Sequence, residues 1–393
     1  MLNFLKDMGA TDKNDQRIFG LDLIRAFAVL AVVFHHSFGF IRPPAWLAPW
    51  GAMGDMAVEW FFVLSGFLIG GSLLREVTAD RFDSLSSVKR FLAKRWLRTL
   101  PLYYAFLIYS FVSCPKSAAM ISQAISSLFL MQNFAWRMSG FYFQSWTLTI
   151  LELFYLSFTV SLVFSSRWIK NKLLSFLFPL ALFVIVPLLL RAIFTTLENP
   201  VDFDQILRRQ VVFRLDAPVA GILMAVLHKE CPAVWSRLYR YRWLSLFLLA
   251  GLIGYYLAGL PFLFQHHGLQ IIFLPLVSMI CALSLPFFHS WKESPFLWGK
   301  GVGFVSTLSY SIYLSHVWAL AIGASLIIYF AIPPNAYFCI YAIFYAVVFA
   351  VAYLGYIIIE RPFLKFRGKN RETVSPASAS AALEVSPRLG ELA

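Results

Sequence analysis

Apolar runs of roughly 18 to 25 residues, separated by short polar segments, recur along most of the chain, and each is long enough as a helix to cross a hydrocarbon core of about 30 Å. They predict ten transmembrane helices, over residues 19–39, 56–74, 99–115, 145–165, 173–192, 210–228, 243–260, 268–286, 303–328 and 337–360. Between the third and fourth, Ile121 to Phe134 is apolar but too short to span, which predicts an interfacial or re-entrant helix. No repeat of helical-array period is visible, nor a pair of similarly interrupted helices in the two halves, which counts against a secondary-transporter architecture.

The polar remainder is small. It comprises the start of the chain, the stretch from Arg75 to Arg98, and everything after Lys365. The expected organisation is a cytoplasmic segment over 1–18, a transmembrane domain over 19–363 and a cytoplasmic tail over 364–393, whose Ala- and Ser-rich part from Thr373 reads as disordered. No small-residue cleavage site follows the first apolar run, so it is expected to remain as a helix rather than be removed as a signal peptide.

Composition agrees with a lipid solvent: 60% of residues are hydrophobic and 13% charged, against about a quarter charged in soluble domains. A net charge of +13 would point to nucleic acid in a soluble protein; here its placement matters more, and no nucleic-acid partner is expected. About 25 Lys and Arg fall on the side shared by both termini and about five in the opposite loops, which predicts both termini in the cytoplasm. The fold class expected is therefore all-α, a polytopic integral membrane protein. Cys114, Cys231, Cys281 and Cys339 are scattered without a CxxC pair, so neither a disulfide framework nor a metal site is expected.

An ionisable residue inside a membrane helix costs a few kcal/mol or more and is a functional hypothesis by default. The first helix holds Asp22, Arg25 and His36. Eleven residues at about 100° each bring Arg25 and His36 onto one face, about 16 Å apart along the axis, while His35 points about 100° away. An interfacial Asp22–Arg25 pair and a His36 bonded to a carbonyl would be the structural alternative. In the second helix Ser65-Gly66 reads chiefly as a close-packing site, since a nucleophilic Ser65 would need a base beside it.

At the mouth of the third helix, Arg95 and Arg98 stand one turn apart in a basic stretch that satisfies the positive-inside rule and also forms a fork suited to phosphates, such as those of a coenzyme A donor. In the fourth helix Thr149, Glu152 and Tyr155 make one polar stripe. Glu152 is expected about 10 Å below the outer surface, a depth shared with His36, so the two could meet as an imidazole oriented by a carboxylate. A buried Glu152 held for structure is the alternative. His316 is placed near mid-bilayer in the ninth helix, and Glu360 at the inner end of the tenth.

In order along the chain stand Leu21-Asp22-Leu23-Ile24-Arg25 with His36, then Phe61-Phe62-Val63-Leu64-Ser65-Gly66-Phe67, Arg95-x-x-Arg98 before Pro101-Leu102-Tyr103, Trp146 to Tyr155, Tyr310-Ser311-Ile312-Tyr313-Leu314 with His316, and Glu360-Arg361-Pro362-Phe363. Together they resemble the membrane-bound acyltransferase 3 family, whose members move acyl groups, usually acetyl, onto hydroxyls of sugars and other acceptors. Two positions depart from the family pattern: Glu59 stands for the usual Asp before the double phenylalanine, and Leu151 replaces one of a usual acidic pair, leaving Glu152.

The resemblance implies a multi-pass O-acetyltransferase of the bacterial inner (cell) membrane, with no bound cofactor and with cytoplasmic acetyl-CoA as donor substrate. Its acceptor would be a sugar of a surface glycan, such as a polysaccharide or lipopolysaccharide, or of a lipid-linked precursor. Arg95 and Arg98 would hold the donor phosphates and Arg25 line the route; His36, oriented by Glu152, would deprotonate the acceptor or carry the acyl group. Asp22, Ser65, Thr149, Tyr155 and His316 are expected to support them, and Asp22 and Glu360 to partner inner-face arginines. A proton-coupled transporter using His36, Glu152 and His316, or a non-catalytic subunit of a glycan-assembly complex, are the competing expectations. The oligomeric state is left open.

Overall fold

The computed structural model describes residues 17–372 except 115–116, 139, 199–200, 259–265 and 295–296, and these form helices and loops without strands. In chain order the helices are α1 (Phe19–Ser37), α2 (Met53–Thr78), α3 (Leu85–Ser113), α4 (Ala118–Leu128), α5 (Trp146–Trp168), α6 (Lys172–Leu197), α7 (Val219–Glu230), α8 (Pro232–Arg240), α9 (Arg242–Ala258), α10 (His267–Leu283), α11 (Leu285–Ser290), α12 (Gly299–Tyr329), α13 (Tyr337–Gly355) and α14 (Arg361–Glu372).

Seven helical stretches among the described residues are long and apolar enough to cross a membrane, or eight if the α8–α9 pair, bent by 64°, counts as one span. Their outward faces carry Phe178, Ile185, Leu189, Ile193, Phe247 and Ile358, all exposed, as lipid contact requires. The chain is thus a polytopic membrane protein, with fewer uninterrupted apolar spans than the ten expected. Of the segment 99–115, residues 99–113 are the second half of α3, whose Pro101, tyrosines and serines dilute its apolar character. The segment 210–228 is broken: a short turn, Val211–Phe213, precedes α7, whose 12 residues reach only about 18 Å. The short apolar stretch after α3 does form an interfacial-length helix, α4, capped by the Ser117 side chain accepting from the Met120 amide.

Helix α1 is the central element, packed between α2 and α12. No side chain caps its start; instead the amides of Phe19 and Gly20 donate to the carbonyls of Lys292 and Trp291, at 3.1 and 3.0 Å. A Cβ at Gly20 would run into the Phe288 carbonyl, so α11 can sit against α1 only because that residue is glycine. Helices α2 and α7 form the tightest pair: Gly66 faces the Pro218 carbonyl and Gly221 faces the Val63 carbonyl, with no room for a Cβ at either. Ser65-Gly66 therefore serves packing through its glycine.

The tail expected from residue 364 begins as helix, since α14 runs to Glu372. The segment 1–16 and the part of the tail expected to be disordered, from Thr373, lie outside the described residues.

Candidate functional site

Two ends of the bundle carry polar chemistry, joined by α1. At the C-terminal end of α1, His36 Nδ1 lies 2.9 Å from the Val32 carbonyl and 3.2 Å from His316 Nε2. His316 Nδ1 lies 2.7 Å from the Tyr313 carbonyl. A carbonyl only accepts, so both Nδ1 atoms carry the proton, and the neutral His316 offers the lone pair of its Nε2 to the His36 N–H. His36 Nε2 is left as a lone pair with no hydrogen bond among the described residues. The His36 side chain stands in the wall of an open vestibule of about 440 Å³, lined also by His35, Phe38, Phe40, Phe143 and Val317. His35 is held apart, its Nδ1 2.8 Å from the Gly51 carbonyl.

A narrow cleft continues from His36 past Trp146, Asp55, Arg208, Arg209 and Tyr313. The Tyr313 hydroxyl accepts from Thr147 at 2.6 Å and donates to the Gln144 carbonyl at 2.7 Å, which ties the start of α5 to α12 beside the histidines. The Arg208 guanidinium bonds Asp55 at 2.8 Å and Asp204 at 2.7 Å, and the Arg209 guanidinium bonds Asp204 at 2.5 Å. Burial works against Asp204 ionising, but the two guanidiniums outweigh it and hold its carboxyl below the usual carboxylate range.

At the basic end, Asp22 gathers three partners: Arg17 Nε at 3.0 Å, Arg25 at 3.3 Å and the Ser306 hydroxyl at 2.6 Å. Arg25 also donates to Ser306, at 3.2 Å. Arg98 is exposed and makes no ion pair or hydrogen bond among the described residues. Glu360 accepts from Ser311 at 2.7 Å, inside the field of Arg98.

Arg95 does not join Arg98 in an open fork. It turns inward, its Nε 3.5 Å from Glu152 Oε1 and its guanidinium carbon 3.6 Å from the centre of the Tyr155 ring. Glu152 is therefore the partner of Arg95 and not of His36, whose partner is His316. Residue depth explains the difference: Glu152 lies six residues below Trp146, about 9 Å deeper than the ring that shares the cleft with His36. Around the Arg95–Glu152 pair, Arg95 Nε, Trp96 Nε1, Thr149 Oγ1, the Tyr155 hydroxyl and both Glu152 oxygens are buried without hydrogen-bond partners of good geometry. Ser65 faces the Tyr155 hydroxyl from α2. Such a concentration of unspent polar atoms in an apolar bundle is costly unless a polar guest completes it.

Four residues here had no place in the sequence reading: Asp55, Arg208 and Arg209, which line the cleft, and Asp204, which pairs with both arginines; Tyr313 stood in it only within the Tyr310 to Leu314 motif. A signal was present for two of them, since Arg208-Arg209 is a doubled positive charge in a loop on the side where basic residues are scarce. Among the described residues no cluster of His, Cys, Asp and Glu could hold a metal ion.

The chain belongs to the acyltransferase 3 family: the model of its acyltransferase domain matches residues 18–357. Among curated proteins it is 27% identical over 377 residues to the peptidoglycan O-acetyltransferase OatA of Listeria monocytogenes, covering 88% of this chain and 55% of that protein. It is 30% identical over 166 residues to the O-acetyltransferase OatA of Staphylococcus aureus, covering 39% of this chain and 26% of that one. The chain thus spans about half the length, or less, of the curated relatives it matches. No solved structure matches it.

Proposed function

We propose that the protein is a membrane-bound O-acyltransferase that moves acetyl from cytoplasmic acetyl-CoA to a hydroxyl of a sugar in a surface or lipid-linked glycan. The observation that carries the proposal is the His36–His316 pair. His316 Nε2 receives the His36 Nδ1–H, so His36 Nε2 keeps its lone pair, as a general base requires, on a residue that lines the vestibule. When the imidazole takes the acceptor proton, the positive charge that develops is shared with the His316 lone pair and the Val32 carbonyl.

The rest of the route runs along α1. Acetyl-CoA is a substrate here, not a resident cofactor, and its phosphates would meet Arg98, free of partners, and Arg25 at the basic end. The thioester arm would pass beside Arg95, where the unpartnered donors and acceptors of Trp96, Thr149, Glu152 and Tyr155 can take the hydrogen bonds of its amides. Glu152 acts in this scheme by fixing the Arg95 guanidinium over Tyr155, and reaches His36 only through the bundle. The names of the relatives favour a cell-wall glycan as acceptor. In a bacterium the site would open on the outer face of the inner membrane, with both chain ends in the cytoplasm.

Mass spectrometry of surface glycans from cells carrying the intact gene, no gene, or the His36→Ala gene tests the whole proposal. An acetyl increment is expected with the intact gene alone. Identical glycans in all three would count against it.

A further inference from the structure

Trp146 and the loop between α6 and α7 build a second polar group beside His36. The loop carrying Arg209 is bolted down: Asn133 donates its side-chain amide to the Arg209 carbonyl at 2.6 Å and to the Trp146 carbonyl at 3.2 Å, and its own carbonyl accepts from Val211 at 3.0 Å. Trp146 packs below both guanidiniums, with its ring centre 5.2 Å from the Arg208 carbon and 5.9 Å from that of Arg209.

The two arginines are not equivalent. Arg208 spends its terminal nitrogens on Asp55 and Asp204. Arg209 gives one terminal nitrogen to Asp204, while its Nε–H is buried, has no acceptor, and belongs to the residues lining the cleft with His36. A buried charged donor left unpaired costs free energy in the resting protein, and the residue that carries it lines the same cleft as His36.

We propose that Arg209 donates the hydrogen bond that holds the oxyanion formed when the acceptor hydroxyl attacks the acyl carbonyl beside His36, a role that rests on the transfer reaction proposed above. In that step His36 Nε2 takes the hydroxyl proton, the acceptor oxygen bonds to the thioester carbonyl carbon, and the carbonyl electrons move onto its oxygen, which accepts from Arg209 Nε. Collapse reforms the carbonyl, breaks the carbon–sulfur bond, and the departing thiolate takes the proton from His36, leaving the ester and free coenzyme A. Asp204, kept ionised by its two guanidiniums, fixes the donor before the charge develops.

The test uses the full chain in proteoliposomes, with radiolabelled acetyl-CoA as donor and soluble peptidoglycan strands as acceptor. Arg209→Lys and Arg209→Gln are expected to lower kcat by about 10²- to 10³-fold, the usual effect of losing an oxyanion donor, with the acceptor KM changed by less than about threefold. Guanidinium ion is expected to restore part of the rate of Arg209→Ala and none of the rate of His36→Ala. Wild-type kcat in the Arg209 variants would overturn the proposal. So would a raised acceptor KM at unchanged kcat, which makes Arg209 an anchor for an anionic acceptor, or aggregation of every variant, which makes it a structural part of the loop. A wild-type protein that transfers nothing from acetyl-CoA would instead refute the transfer reaction.

Discussion

The residue on which the proposed transfer turns, His36, was visible in the sequence as an imidazole on the same helical face as Arg25, and its preference over His35 follows from that geometry alone. Its partner was not visible. Periodicity places a side chain on a face of its own helix, but which neighbouring helix meets that face depends on packing between distant segments, and His316 lies 280 positions away. The match in depth between His36 and Glu152 supplied the wrong partner for this reason. The Arg95 side chain, long enough to turn inward from a basic stretch, claims Glu152 first. His316→Ala removes the lone pair that receives the His36 Nδ1–H while leaving the Val32 carbonyl in place. It should lower kcat by about 10- to 100-fold, a smaller loss than the general base itself supplies, with little change in donor KM. Unchanged kcat would remove His316 from the account.

Helices were legible as apolar runs, and most expected spans coincide with observed ones because a lipid-crossing helix needs little besides length and apolarity. Helix α7 was misjudged because the run 210–228 contains Pro218 and a buried arginine, Arg214, whose partners the sequence does not reveal. Arg214 donates to both oxygens of Glu59 on α2, at 2.6 and 2.7 Å, and Ser278 on α10 completes that carboxylate at 2.8 Å. Nearby, Arg191 on α6 bonds Asp216 at 2.5 Å and the Phe213 carbonyl at 2.7 Å. These fully buried pairs hold the turn from Arg214 to Pro218 in place before α7, where a continuous helix was expected. Breaking one partner strands a charge in the interior, a loss of about 3–5 kcal/mol, whereas an apolar pair of similar volume costs much less. Arg214→Met is therefore expected to lower the thermal unfolding temperature in detergent well below that of the Glu59→Leu/Arg214→Met double variant. Equal behaviour of the two would show that the pair contributes only through packing.

For the molecule as a whole, family membership was legible because its motifs are short and keep their order, even at the modest identity seen over the full match. Orientation in the membrane rests on charge alone, and native cysteines test it. Cys231 follows α7 at the basic end, where Lys229 bonds the Gly71 carbonyl, and Cys339 is exposed at the start of α13 at the opposite end. A membrane-impermeant thiol reagent applied to intact cells should label Cys339 and leave Cys231 untouched until the cells are opened. The reverse pattern would invert the donor and acceptor sides.

The central claim is that an imidazole lone pair at the end of α1 performs acyl transfer. Its most direct measurement is the movement of radiolabelled acetyl from acetyl-CoA to glycan by purified protein in proteoliposomes, comparing wild type with His36→Ala. The expected result is transfer by the wild type and a loss of about 10²- to 10⁴-fold in the variant, with coenzyme A still bound at its normal affinity. Transfer by His36→Ala at the wild-type rate would contradict the account.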